Sequence, residues 1–241
     1  MRRNITDMIN DINKVSHQLK TSSEEISGIT RSVADDTQDQ AAIVEPELAA
    51  GGTAVFSNAG AMRRHAQVPI LIPDVNPGSL SLIYKQGWPE TGFVVTNANC
   101  AATGLATALA PLRPMGIEEI HVSTCQSISG AGYPGLSALD IPDNAIPFIA
   151  NEEEKIAWEL DKILGHPVRT FVTTVRVPVR FGHLETVWVR FREPVTATAV
   201  REAWASHTGA DLVSMPGRPV IYLEGPDMPQ PRNSFAGTPP G

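Results

Sequence analysis

Apolar residues in the first forty positions recur at spacings of three and four: Ile5, Met8, Ile9, Ile12, Val15 and Leu19, then Ile26, Ile29 and Val33. The residues between them are mostly Asn, Asp, Lys, Ser, Glu and Thr. The pattern predicts an amphipathic or coiled-coil-like helical extension over 1–40, weakly interrupted at Ser22, Ser23 and Glu25. From Ala41 the texture changes to short units. Segments 53–57, 92–96 and 117–124 read as strands, and 69–73 as a brief apolar run. Segments 170–179 and 185–191 are β-branched and alternating, which suits a sheet. Helical spacing appears over 151–164, with Ile156, Leu160, Ile163 and Leu164 on one side. It appears again over 194–206, where Val195, Ala199, Val200, Ala203 and Trp204 form the apolar side. Strands mixed with helices in this way predict an α/β or α+β domain, without an internal repeat.

Composition narrows the function classes. At 241 residues the chain can bury one large core or two small ones. Hydrophobic content of 42% with 19% charged residues fits a globular protein, not a disordered one. A formal charge of −7 argues against a nucleic-acid surface. No apolar run is long enough to cross a bilayer, and the amino terminus lacks a signal-peptide core. Two cysteines fit a reducing compartment better than a disulfide scaffold, so the expected location is the cytoplasm.

One of those cysteines stands out. Asn97-Ala98-Asn99-Cys100-Ala101-Ala102-Thr103-Gly104 lies between a short apolar strand, 92–96, and Leu105 to Leu109, the first turns of a helix. At such a junction free backbone N–H groups and the positive end of a helix dipole favour thiolate over thiol. A buried structural cysteine is the alternative that position alone leaves open.

Several segments, in order, resemble one family, the aspartate-β-semialdehyde dehydrogenases, especially the archaeal and fungal branch. They are Val44-Glu45-Pro46-Glu47, Phe56-Ser57-Asn58-Ala59, Ile72-Pro73-Asp74-Val75-Asn76 and Thr96-Asn97-Ala98-Asn99-Cys100. Gln126-Ser127-Ile128-Ser129-Gly130-Ala131-Gly132-Tyr133-Pro134-Gly135 follows, then Ile146-Pro147-Phe148-Ile149 and Asn151-Glu152-Glu153-Glu154-Lys155. Gly182-His183 and Pro229-Gln230-Pro231-Arg232 complete the set. Their order and spacing over roughly 41–232 carry the resemblance.

The resemblance implies an NADP-dependent enzyme that reduces an aspartyl acyl phosphate through a cysteine thioester, in amino-acid biosynthesis. Cys100 would be the nucleophile and His183 the acid and base, with Gln126 orienting the acyl group and Asn99 polarising its carbonyl. Arg176 would grip the α-carboxylate bidentately. Arg63 would hold phosphate, Lys155 would act as a second cation, and Glu152 would meet the ammonium. Which of Glu152, Glu153 and Glu154 faces the site stays open. The loop at Ser129 and Gly130 would let backbone approach the nicotinamide. No metal is implied. Cys125 and the other histidines carry no such role.

The implied organisation is an α+β substrate and dimerisation domain over 99–232 with a partial Rossmann-like part over 41–98. A truncated tail would follow over 233–241. The expected partners are a small-molecule substrate and a second copy of the chain, with neither nucleic acid nor membrane. Departures bear on activity. No glycine-rich phosphate-binding turn precedes Cys100. Thr174 and Val175 replace the usual Cys and Asn beside the substrate arginine, and Phe181 stands where an acidic residue is common. The expected NADP site is therefore incomplete. A malonyl-CoA reductase-like enzyme, a more distant acyl-phosphate reductase for N-acetyl-glutamate, or a non-catalytic dimerisation module are the competing readings.

Overall fold

The computed structural model describes residues 14–15, 17–18, 20–22, 25, 37–132, 135–212 and 217–234. Those described between 14 and 25 are helical, and Val15 among them is exposed. Of the helical extension expected over 1–40, the other residues up to position 36 lie outside the described residues. A helix (α1) runs over 37–50 and so crosses position 40, where the sequence texture changes. It stops at Gly51-Gly52, and Ser57 ties the next strand back to it through a hydrogen bond to the Glu45 carboxylate.

Two sheets follow. In the first, β1 (Ala54–Ser57) lies parallel to β2 (Phe93–Thr96), with Ser57 opposite Thr96. The 69–73 run adds a single parallel bridge, Ile70 to Thr96, instead of a full strand. Prolines at 69 and 73 leave it without the donors a longer ladder needs. β2 is buried throughout and leads through Asn97-Ala98-Asn99 into helix α2 (Cys100–Leu109).

The second sheet has four strands in the order β4-β5-β3-β6. β3 (Ile117–Gln126) pairs parallel with β5 (Arg169–Arg176) and antiparallel with β6 (Leu184–Phe191). The short β4 (Ile146–Pro147) runs antiparallel to β5. β5 ends three residues before the expected 179. The Val177 N–H makes the last ladder bond, to the Gln126 carbonyl; Pro178 then has no N–H to donate, and Val179 turns back to the Val177 carbonyl at 2.8 Å. Helix α3 (Glu152–Leu164) packs on β5 and α2. Helix α4 (Ala197–Ser206) begins where the Thr196 side chain accepts the Ala199 N–H, leaving Pro194 and Val195 outside it. A single turn, α5 (Pro231–Ser234), closes the described part of the chain.

Alternation along β3 sorts the sheet into two faces. Ile120 and Val122 point to the helices, where they meet Leu105 and Leu109 of α2 and Ile156, Leu160, Ile163 and Leu164 of α3. Each fully buried side chain of that size stabilises the fold by about 1.5–3 kcal/mol. The opposite face is bare. There His121 stacks on Phe171 at 4.6 Å and meets the edge of Trp188 at 5.4 Å, with both partners about half exposed.

Candidate active site

The parallel strands β3 and β5 end together, Gln126 opposite Arg176, beside the amino termini of α2 and α3. Strand carboxyl ends in such sheets are where ligands bind, because helix N–H groups converge there. Asn99 caps α2: its Oδ1 accepts the Ala101 and Ala102 N–H groups at 2.9 and 3.2 Å. That cap sets Cys100 as the first helical residue, with its sulfur open to a cleft.

His183, just ahead of β6, places Nε2 3.1 Å from Cys100 Sγ. Residues 83 positions apart are thus in contact. The other ring nitrogen, Nδ1, accepts the backbone N–H of Ser127 at 3.0 Å. Arg176, buried, donates from Nη1 to the Ser127 carbonyl at 2.7 Å, which leaves its other N–H groups for a ligand. Gly130 fits against both. A Cβ there would come within 2.9 Å of Arg176 Nη1 and 3.1 Å of His183 Cε1, so only glycine allows this approach without displacement.

Three successive glutamates open α3, and each has a different neighbour. Glu152 points into the site, its Oε2 accepting from Asn99 Nδ2 at 2.8 Å and lying 3.5 Å from Gln126 Nε2. Glu153 accepts the Thr174 N–H at 3.0 Å, and Glu154 pairs with Arg64 at the surface. Lys155 lies 3.8 Å from the other Glu152 oxygen and is largely in solvent. Ser129 Oγ lies 3.0 Å from Ser127 Oγ. Cys125 is a free thiol on the bare face side of β3, away from this cluster.

Arg63 is held elsewhere. Its guanidinium is buried and ion-paired with Glu159 at 2.9 Å, and it also donates to the Asn58 carbonyl at 3.1 Å. Glu159 itself is almost wholly buried and accepts the Asn99 N–H at 2.6 Å. Arg63 therefore reaches the nucleophile's cap through a carboxylate rather than by opening directly onto the cleft. Lys162 completes this buried link by donating all three of its protons to the carbonyls of Arg63, His65 and Val68, at 2.6 to 2.8 Å. Glu159 was legible in principle: it stands three residues after Ile156 and just before Leu160, on the apolar stripe of α3, where an unpartnered charge would not survive burial.

The electrostatics correct one expectation. Backbone hydrogen bonds at the α2 terminus do favour the Cys100 thiolate, as does Arg176, but they lose. Protein packed around the sulfur removes solvation, and the Glu152 carboxylate adds a like charge, so the thiol is pushed up. His183 is shifted the other way: burial first, then the Arg176 charge, hold the imidazole below its usual range, against the pull of Glu152. The resting pair is therefore thiol beside neutral imidazole at neutral pH.

A cleft of about 480 Å³ opens from this pair, between Cys100, Gly104 and Ala108 on α2, Glu185 and Val187 on β6, and Pro229-Gln230-Pro231. Glu185 has burial as its one displacing influence and rises to about 7. Sequence inspection gave no sign of it, since an isolated Glu on an alternating strand normally faces water.

A thiol, an imidazole and a carboxylate thus meet beside the carboxyl ends of β3 and β5. The family model for the semialdehyde dehydrogenase dimerisation domain matches residues 109–240, more than half of the chain. The chain belongs to the semialdehyde dehydrogenase family. It is 42% identical over 207 residues to an aspartate-semialdehyde dehydrogenase of Archaeoglobus fulgidus, covering 80% of this chain and 60% of that protein. A Cryptococcus neoformans aspartate-semialdehyde dehydrogenase is 38% identical over 233 residues, with 86% of this chain and 61% of that one covered. Among solved structures, the Candida albicans aspartate-semialdehyde dehydrogenase with NADP superimposes with a TM-score of 0.74 at 31% identity, covering 81% of this chain and 62% of that chain. The chain thus spans about three fifths of the length of the relatives it matches. The archaeal and fungal resemblance and the mixed α and β class expected from sequence both stand. Among the described residues no helix is long and apolar enough to cross a membrane.

Proposed function

We propose that the chain carries the catalytic and dimerisation part of an NADP-dependent aspartate-semialdehyde dehydrogenase. The observation that supports this most strongly is the 3.1 Å contact between Cys100 Sγ and His183 Nε2, set among Glu152, Gln126 and Arg176. Cys100 first gives its proton to solvent in the cleft; Sγ then bonds to the carbonyl carbon of an acyl phosphate as the carbon–oxygen bond to phosphate breaks, leaving a thioester and inorganic phosphate. Glu152 accepts the substrate ammonium, and the Arg176 guanidinium takes the α-carboxylate. An ammonium at Glu152 also offsets the charge that raises the Cys100 thiol, so substrate itself promotes thiolate formation. Gln126 and the Asn99 cap orient the acyl group. His183, at hydrogen-bond distance from the sulfur, steadies the thiolate and serves the oxygen that gains charge when the thioester is reduced. In that scheme Arg63 and Lys155 contribute to phosphate binding only after exchanging partners, since Glu159 and Glu152 now engage them.

When bound, NADPH supplies the hydride. The residues present fit its nicotinamide end alone: Gly130 keeps clear the space a Cβ would fill beside His183 and Arg176, with Ser129 next to it. No glycine-rich turn for the phosphates precedes Cys100. The proposed organisation takes 41–98 as a cofactor-domain remnant and 99–232 as the catalytic and dimerisation part. A second copy of the chain is the proposed partner, through the bare aromatic face of β3, β5 and β6.

The test is phosphate-dependent NADP⁺ reduction by the purified chain with aspartate semialdehyde, beside Cys100→Ser. Activity that disappears in the variant supports the proposal. A folded chain with no activity, whose Cys100 also fails to form a thioester with an activated aspartyl donor, overturns it.

A further inference from the structure

His183 Nδ1 has two neighbours on one residue: the Ser127 backbone N–H at 3.0 Å and the Ser127 hydroxyl at 3.2 Å. They are not equivalent. A backbone N–H can only donate, so the Nδ1 it points to must present its lone pair. The neutral ring then carries its single proton on Nε2, facing Cys100 Sγ at 3.1 Å. In that form the imidazole is a donor to sulfur, not a base waiting for the thiol proton.

The loop makes this arrangement rigid. Ser127 follows the last residue of β3 and precedes the 3-10 turn Ile128–Ala131. Ile128 donates to the Val179 carbonyl at 2.7 Å and Ser129 to the Arg180 carbonyl at 3.2 Å, which stitches the loop to the segment that delivers His183. Gly130 closes on the ring at Cε1. The direction of the Ser127 N–H is thus set by the fold.

The hydroxyl does what the N–H cannot. Nδ1 has one in-plane lone pair, and the backbone donor already occupies it, so the hydroxyl adds little to the neutral ring. On protonation Nδ1 becomes a donor and needs an acceptor. Ser127 Oγ is within reach and can turn its own proton to Ser129 Oγ, 3.0 Å away. Ser127 is buried whereas Ser129 is exposed, so the pair connects the ring to solvent. The charged and titratable groups around the imidazole are Cys100 from α2, Arg176 from β5 and Glu152 from α3, with Glu185 lining the same cleft from β6.

We propose that Ser127 is a positioning residue for His183: its N–H fixes the Nε2–H tautomer that faces Cys100, and its hydroxyl, backed by Ser129, accepts Nδ1–H when the ring is protonated. This sets the pH range in which the ring stays neutral and keeps its proton on Nε2. It deepens the reading of Cys100 and His183 as a reacting pair, and so rests on it for its catalytic meaning. The tautomer itself can be measured without turnover.

The experiment is long-range ¹H–¹⁵N spectroscopy of the full chain labelled at histidine, with His183 assigned by His183→Gln. The expected result is an unprotonated Nδ1 and a protonated Nε2 at neutral pH. Ser127→Ala should lower the proton affinity of His183 by about tenfold to hundredfold, the effect of one hydrogen bond to a charged group. Ser127→Thr keeps the hydroxyl and should restore it, and Ser129→Ala should give a smaller change of the same sign. A proton on Nδ1 in the unmodified chain overturns the proposal, as does an unchanged titration in Ser127→Ala. Should Ser127→Ala fail to fold, the tautomer in the unmodified chain and the Ser129→Ala titration decide. Lack of turnover alongside the expected tautomer counts against the dehydrogenase reading, not against this one.

Discussion

Replacing Glu185 with Gln removes a carboxyl group that the fold keeps protonated to unusually high pH. Glu185 sits opposite Thr124 in the β3–β6 ladder and lines the cleft beside Cys100 and His183. Burial lifts it from 4.5 to about 7, and no cation offsets that burial. A difference of that size corresponds to about 3.4 kcal/mol at about 1.4 kcal/mol per pH unit. The sign follows from linkage. A carboxyl with a raised folded-state value binds its proton more tightly when folded, so its contribution is complete below 4.5 and is lost as pH rises through 7. Integrated between pH 5 and 8, the loss is about 2.5 kcal/mol. Gln resembles the protonated form in shape and charge but does not titrate. Urea unfolding of both proteins, at one protein concentration so that association is held constant, measures the difference. At pH 5 the two should differ little, and at pH 8 the variant should be more stable by about 2–3 kcal/mol. An advantage for Gln that is the same at both pH values would refute the reasoning, because burial would then not be what displaces this carboxyl.

Three further outcomes follow from named contacts. Glu159→Leu leaves the buried Arg63 guanidinium without its partner and frees the Asn99 N–H, which should cost about 3–5 kcal/mol in urea unfolding; adding Arg63→Met should recover much of that. Glu152→Gln removes the like charge beside Cys100, so alkylation by iodoacetamide at pH 7 should speed up about threefold to tenfold, while an unchanged rate would mean that burial alone holds the thiol up. Trp188→Asp places a charge in the centre of the bare aromatic face, and sedimentation should register weakening of self-association by at least about thirtyfold if that face joins two copies.

The elements of the fold were largely legible because their periodicities are local. The α3 stripe of Ile156, Leu160, Ile163 and Leu164 and the alternation of β3 each follow from which side chains avoid water. Their ends were less legible. β5 stops at Arg176 because the chain folds back beyond it, Val179 donating to the Val177 carbonyl, a turn that the alternation of apolar residues does not mark. The 69–73 run looks like a strand by composition but forms one bridge.

Cys100 could be picked out from its junction of strand and helix, and the family resemblance supplied its companions. What these residues do to one another required the fold. A helix terminus favours thiolate, and the sequence shows that terminus; burial in the fold and the Glu152 carboxylate, 52 positions away on α3, oppose it and prevail. Arg63 reads as a free cation for phosphate until Glu159 is seen beside it. Glu185 and Lys162 carry no motif at all, and Ser127 lies in a family segment without a role of its own, because their parts depend on which carbonyls, rings and empty spaces surround them. The sequence by itself determined the segments and the family, and singled out Cys100 as the candidate nucleophile. The tertiary structure decided charge states, partners and the direction of each proton, since these depend on solvent exclusion and on distances between atoms far apart along the chain.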